Sequence, residues 1–539
     1  MRILLLFLTV GLGQFLLTLE PHFSSPAPSP PFQPNIIWIV ADDMSLTMGC
    51  YGDSVARTPN LDRLATESTR YTQVFSVHGA CSPSRAALIT GMYPTSIGAH
   101  HMRTTGYGPI GQPPYEAVPA PSVKCFSEYL RGAGYYCTNN EKTDYQFSTP
   151  FTAWDESSAR AHWRNRQPGQ PFFAVFTLMD THAHFIWERA DSLQTDPQRV
   201  KLPPYYPDTD SVRRDVARQY DNVRRIDERA GQILRQLTED GLSDNTYVVF
   251  LADNGQGLAR SKRFLYDSGI QVPLLIRTPD RARAGKTDNR LISFVDFAPT
   301  MLSLAGLRPP SAMQGQAFTG EYAQKPRNYI FAATDRIGIR HDRVRVVRSA
   351  RFKYVRNYHP ELPFNHYDES YSRLLALHRE LYRLHGEGKL NAVQELYFRP
   401  RRPREELFDV VNDPHEIHDL AADPRYRTEL ATLRGEHERW VSSTGDLGIV
   451  LEKELIERFW PGGKQPQTAS PTVTRISESA NLERVQLQCA TPGASIGYRL
   501  GDQPGWAIYT KPFAVQKGTS VQAKAIRIGY ALSPANADS

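Results

Sequence analysis

Three stretches of this chain are apolar without a break. They read NIIWIV over 35–40, PFFAVFTLM over 171–179 and TYVVFLA over 246–252. Short runs rich in β-branched and aromatic residues are what strands buried on both faces of a parallel sheet require. Between them, apolar positions recur at helical spacing. TPNLDRLATES places Leu61, Leu64 and Ala65 on one face. The stretch 213–241 is long and amphipathic and closes on Gly241. Strands alternating with helices predict an α/β domain with a large, mostly parallel central sheet.

The pattern changes near residue 330. VRVVRSARFKYVRNY reads as short strands, and LLALHRELYRLHGEGKL and ELATLRGEHERWVSS as charged helices. This predicts a smaller α+β subdomain over 331–461, after a catalytic-type α/β domain over 33–330. Residues 462–470 read as a linker by composition. The last segment, 471–539, alternates with period two and breaks at Gly and Pro, which predicts a small β-sandwich module.

Residues 1–24 carry Arg2 and then a short apolar run interrupted by Gly and Gln, the pattern of a signal peptide. An uncleaved anchor is the alternative. No other stretch is long enough to span a bilayer, so the mature chain is expected outside the cytoplasm, periplasmic or secreted, and not integral to the membrane. Export permits disulfides. The five cysteines leave at least one thiol unpaired, and Cys125 and Cys137 are one pair that sequence permits.

With 40% hydrophobic and 22% charged residues, the composition is that of a globular protein. The net charge of +6 comes without a long Lys/Arg run, so nucleic acid is not indicated. An anionic small molecule, a glycan or a solvated surface all fit that charge.

The residues after the apolar runs carry candidate chemistry. NIIWIV leads into Ala41-Asp42-Asp43, TYVVFLA into Asp253-Asn254-Gly255, and PFFAVFTLM into Asp180-Thr181-His182. Ligands of open α/β sheets bind beyond the carboxyl ends of the strands. Asp42, Asp43, Asp253 and Asn254 together offer oxygen donors suited to Ca²⁺ or Mg²⁺. Each motif alone is also an ordinary turn. Cys81 opens the helical stretch CSPSRAALITG, with Pro83 in the first turn and Gly91 at the end. A helix N-terminus lowers a thiol pKa and welcomes an oxyanion. A lone helical cysteine is otherwise a small buried hydrophobe.

CSPSRAALITG resembles the sulfatase signature, Cys-x-Pro-Ser-Arg followed by Thr-Gly near the helix end. ADD, TPNLDRLA, DNG and LYDSGIQVPLLIR follow in the family order, so the resemblance covers roughly 35–460. RFKYVRNYHPELPF and EELFDVVNDPHEIHDLA are most similar to the N-sulfoglucosamine sulfohydrolase (heparan sulfamidase) branch. The C-terminal segment resembles a chitobiase C-terminal or Fn3-associated module. The fold implied is the alkaline-phosphatase-like sandwich.

The resemblance implies that a maturation enzyme converts Cys81 to formylglycine, whose hydrate attacks sulfur. It implies a divalent cation, Ca²⁺ by family habit, on Asp42, Asp43, Asp253, Asn254 and residue 81. Arg85, Lys142, His182 and Lys262 fall on catalytic basic positions. The histidine expected two residues after Lys142 is Asp144. Either Asp144 takes that role, or His100 or His101 does, or activity is impaired. His100, His101 and Arg103 follow the signature helix closely and are expected to bind substrate.

The function implied is removal of O- or N-linked sulfate from a sulfated glycan, with a heparan or glucosamine-type substrate first. The alternatives are a phosphodiesterase or phosphonate hydrolase of the same superfamily and a non-catalytic binder of sulfated glycan.

Overall fold

The computed structural model describes residues 33–104, 113–189, 193–365 and 373–538. The expected signal peptide, 1–24, lies outside the described residues. No helix among those described is long and apolar enough to cross a membrane.

The central sheet has eight strands: β1 (Asn35–Ala41), β2 (Thr69–Phe75), β3 (Tyr136–Asn140), β4 (Glu156–Ser157), β5 (Phe172–Leu178), β6 (Thr246–Ala252), β7 (Leu274–Arg277) and β8 (Thr287–Ser293). Their order is β4-β3-β5-β1-β6-β7-β2-β8. The three apolar runs of the sequence are its three central strands. β1 pairs in parallel with β5 and with β6. β7 is the exception, antiparallel to both neighbours. Every residue of β1 and β5 is buried, which is why neither alternates.

Trp38 of β1 anchors the core. Its ring meets Phe173 at 5.3 Å, Phe126 at 5.5 Å and Phe297 at 5.9 Å. Helix α1 (Pro59–Thr66) packs with the long helix Asp210–Glu239. Helix α2 (Cys81–Thr90) packs with Phe126–Gly132 and Phe297–Leu304.

A second, antiparallel sheet follows, ordered β12-β11-β10-β9. Its strands are β9 (Ile330–Thr334), β10 (Val344–Arg348), β11 (Phe352–Asn357) and β12 (Glu405–Asp409). Helix Arg427–Thr444 lies on β10 and β11. Its Trp440 stacks on Phe331 at 5.1 Å and meets Tyr93 of the first lobe edge-on at 5.3 Å.

The last segment forms two facing antiparallel sheets. One is β13 (Thr472–Ser477), β14 (Leu482–Gln488) and β17 (Phe513–Gln516); the other is β16 (Ala507–Ile508), β15 (Ser495–Leu500), β18 (Val521–Ile526) and β19 (Asn536–Asp538). β18 alternates buried and half-buried residues along its length, the period-two pattern of the sequence made physical.

Two expectations are corrected. Residues 462–470 are not a free linker. Thr468 is buried and its amide donates to the Ala531 carbonyl at 3.0 Å, while Ala531 donates to Pro466 at 2.8 Å. Pro, Gln and Thr read as a spacer, yet here their carbonyls and hydroxyls pair with the module's own turn. Cys125 and Cys137 are both buried and both free. The Cys137 thiol is turned to the Ser127 carbonyl at 3.7 Å instead.

Candidate active site

The site grows from the carboxyl ends of β1, β5 and β6. Beyond the ladders, the Asp42 amide donates to Leu178 at 3.0 Å and the Asp253 amide to Ala41 at 3.1 Å. These bonds level the three strand ends and set Asp42, Asp253 and the turn at 179–182 on one edge. Asp43 then turns with φ of 57°, a left-handed conformation that aspartate tolerates better than most residues. Its amide donates to Asp253 Oδ1 at 3.1 Å. Gly255 closes the loop after β6. A Cβ there would meet the Ser268 carbonyl at 2.1 Å, so only glycine fits.

Helix α2 delivers Cys81 to the same point. The residue before it, Ala80, is extended and offers no side-chain cap. Gly91, at φ of 70°, ends the helix as its position in the sequence predicted. The Cys81 thiol lies 3.5 Å from Asp42 Oδ1 and 3.8 Å from Asp43 Oδ1. One ligand atom each from Asp42, Asp43, Cys81 and Asp253 falls within 4.8 Å of all the others.

All four are fully buried, with Asn254 beside them. The Asn254 amide nitrogen donates to Asp43 Oδ1 at 2.8 Å, and its Oδ1 has no hydrogen-bond partner. A buried, orphaned carbonyl next to three clustered carboxylates is the donor set of a hard divalent cation.

Charge in the cluster is balanced from the rim. Lys142 pairs with Asp42, Lys262 with Asp43 at 2.5 Å, and Arg85 with Asp253 at 2.8 Å. Burial pushes the Asp42 carboxyl up, but Lys142, Arg85 and Lys262 outweigh it and hold it below the usual range. Burial and then Asp42 push Asp253 up to about 6, against Arg85. Asp253 rises because a like charge, Asp42, lies beside it in a dry site.

The expected low thiol pKa is overturned. Burial, and then Asp42, pushes Cys81 well up. The helix N-terminus does not compensate for a dry, anionic surrounding, so the unmodified thiol is not a ready nucleophile.

The other predicted residues divide. Lys142, Asp144, His182 and Arg103 line a cleft of about 900 Å³ together with Arg229 and Gln232. Ser82 donates to Asp144 at 2.5 Å, and Lys142 and Arg103 face the same carboxylate at 3.8 and 3.4 Å. Burial opposes its ionisation, but Lys142 and then Arg103 keep Asp144 below the usual range. His182 Nε2 sits 3.4 Å from Lys262 Nζ. Burial, and then Lys262, lowers His182 to about 4, so its imidazole is neutral at neutral pH.

His100 and His101 do not line this cleft. Both are buried, and His101 Nδ1 accepts the Arg336 amide at 3.2 Å. They belong to the packing between the two lobes. Their substrate-binding assignment is withdrawn; closeness in sequence to the signature helix does not fix which side of the turn a ring takes.

Asp180 is also diverted, paired with Arg189 at 3.0 Å and Arg229 at 2.7 Å. Sequence reading missed Thr177, which accepts from Arg85 Nη1 at 3.3 Å, and Thr181, whose hydroxyl donates to the Asp42 carbonyl. It also missed Arg229 and Gln232, whose only sequence signal is their i, i+3 spacing on one helix face.

Fold and site define a hydrolase built like alkaline phosphatase. A model of the sulfatase family matches residues 34–168 and 161–307, and a model of the N-sulphoglucosamine sulphohydrolase C-terminal region matches 258–372. The "Ulvan-active sulfatase" of Formosa agariphila is 44% identical over 94% of this chain and 91% of its own length. The N-sulphoglucosamine sulphohydrolase of Homo sapiens is 26% identical over 79% of this chain and 94% of its own. The solved structure of BT4656 in complex with its substrate D-glucosamine-2-N,6-O-disulfate shares the fold with a TM-score of 0.54 at 19% identity, over 77% of this chain and 98% of that one. The chain belongs to the sulfatase family and is a sulfuric ester hydrolase.

Proposed function

We propose that this enzyme removes sulfate from a sulfated polysaccharide outside the cytoplasm, with Cys81 converted to formylglycine and a divalent cation held by Asp42, Asp43, Asp253 and Asn254. The observation that carries this reading is the orphaned Asn254 Oδ1 beside three buried carboxylates and the signature cysteine. The 44% identical relative is named for ulvan, and its match runs through 94% of the chain. Ulvan therefore stands ahead of the heparan or glucosamine-type substrate that the shorter, 26% identical match favours.

When bound, Ca²⁺ or Mg²⁺ supplies Lewis acidity and a template, and the formylglycine hydrate a nucleophilic hydroxyl. The chain's own residues do the rest. Lys142 brings an ammonium group to the cleft, and Lys262 holds a second one 3.4 Å from His182, two cations for the oxygens of a sulfate group. Arg85 holds Asp253 at 2.8 Å and keeps a second guanidinium nitrogen, Nη2, buried without a hydrogen-bond partner, a donor available to a bound oxyanion. His182, neutral and at the rim, donates a hydrogen bond from its imidazole N–H to the leaving oxygen. Asp144 is the carboxylate acceptor where the family has histidine. Because Cys81 is fully buried, its modification has to precede folding.

Sulfate release from ulvan and from defined glucosamine N- and 6-O-sulfates tests the reading, with and without chelator. The peptide containing Cys81 is weighed in the same preparation. Sulfate release by protein whose Cys81 remains an intact thiol, or release unaffected by chelator, would overturn it.

A further inference from the structure

A second groove opens where the C-terminal module meets the catalytic lobe. It measures about 670 Å³. Residues 118–120, residues from 458 to 466, and Arg527 with Tyr530 line it. Its charges have one sign: Arg458, Lys464 and Arg527, with no carboxylate lining it among the described residues. The acid beside it in sequence, Glu457, is turned to the Gly462 amide at 3.2 Å. Arg458 and Lys464 are exposed. Arg527 lies over the Tyr530 ring at 4.6 Å and donates to the Tyr530 hydroxyl at 3.1 Å.

The groove is preformed. Trp460 Nε1 donates to Gly529 at 3.1 Å, and Arg527 Nη2 to Pro119 at 3.2 Å. Gly529 sits at φ of 81°, and a Cβ there would meet the Ala117 carbonyl at 2.4 Å. Module and lobe therefore meet backbone to backbone.

The groove is also tied to the wall of the catalytic cleft. The Ala117 amide donates to the Gln146 carbonyl at 3.0 Å, and Gln146 Oε1 accepts the Arg103 amide at 2.8 Å. Arg103 lines the cleft. Residues 118–120 follow Ala117 directly, so one strap of chain carries a groove wall and is tied through Gln146 to the cleft wall.

We propose that this groove is a second binding site for the sulfated polysaccharide, holding sulfate groups of the same polymer outside the catalytic cleft. The proposal rests on the polysaccharide reading above. A lining of cations without acids complements a chain that carries sulfate at intervals, and an open groove admits an extended polymer where an enclosed pocket would not. Two linked contacts raise apparent affinity without changing either one.

The test is the double variant Arg458→Gln/Lys464→Gln, whose side chains are exposed. Retardation in native gels containing ulvan or heparan sulfate is measured, with KM on the polymer and turnover of a small aryl sulfate. The expected result is a KM on polymer raised about five-fold or more, reduced retardation and unchanged aryl sulfate turnover. Unchanged polymer KM and retardation overturn the groove while leaving the enzyme reading intact. Equal retardation of the wild type by double-stranded DNA at matched charge overturns its assignment to glycan. If the wild type turns over aryl sulfate but neither binds nor desulfates any sulfated polymer, the polysaccharide reading fails and the groove with it.

Discussion

Asp144 stands where the sulfatase resemblance leads one to expect a histidine. Its backbone is left-handed, with φ of 57°, and three neighbours converge on its carboxylate: the Ser82 hydroxyl, Arg103 and Lys142. Such a group accepts a proton but brings no positive charge to sulfate. Asp144→Asn keeps the shape and the bond from Ser82 while removing the basicity. Turnover of an aryl sulfate is expected to fall by about 10²–10⁴ with KM nearly unchanged. A steady-state comparison of the two proteins measures it, and retained turnover would move the proton acceptor elsewhere. At this scale the sequence was informative where a motif ends a strand. Asp42, Asp43, Asp253 and Asn254 are placed by the strands they follow, and any parallel sheet brings them together. His100 and His101 had no such anchor, and a turn of unknown direction took them inside.

Elements were legible where burial on both faces extended over a long run. β1, β5 and β6 announce themselves because both faces are apolar, whereas the antiparallel β7 is only four residues long and its direction depends on neighbours that no local pattern names. Residues 462–470 read as a spacer because composition reports what a chain tends to do alone, not what it finds to pair with. Helix Ala376–Gly386 shows a further consequence of burial. His378 is 6% exposed. Burial, and then Arg263, lowers it to about 3. In the unfolded chain it binds a proton below about 6.5, and in the folded protein only near 3. Its contribution is therefore intact above pH 6.5 and is lost as pH falls from 6.5 toward 3. Between pH 7 and 5 this one ring accounts for a loss of about 2 kcal/mol. Urea midpoints at the two pH values measure it. His378→Leu is expected to shrink the difference, and an unchanged difference would place the acid sensitivity elsewhere.

Over the whole molecule, the module is fastened to the catalytic lobe at several points. Lys124 donates to the Ser495 hydroxyl at 2.6 Å and Arg131 to the Trp506 carbonyl at 2.6 Å. A Cβ on Gly493 would strike the Pro121 carbonyl at 2.3 Å. A chain ending at Gly463 loses these bonds and exposes Trp460 and Val118. Its thermal midpoint is expected to fall by about 1–3 °C, the effect of losing about 1–3 kcal/mol in a chain of this size. Aryl sulfate turnover per folded molecule is expected to persist while retention by sulfated polymer is lost. An unshifted midpoint, read by calorimetry, would mean that the module contributes nothing to the lobe. Every residue assigned to the chemistry lies between Asp42 and Lys262, whereas the groove is assembled from three segments, two of them beyond residue 457. Reactivity and appetite are thus written in different parts of one gene. Selection can retune which polymers the enzyme lingers on through the codons for residues 458–530, leaving the machinery that cuts the sulfate untouched.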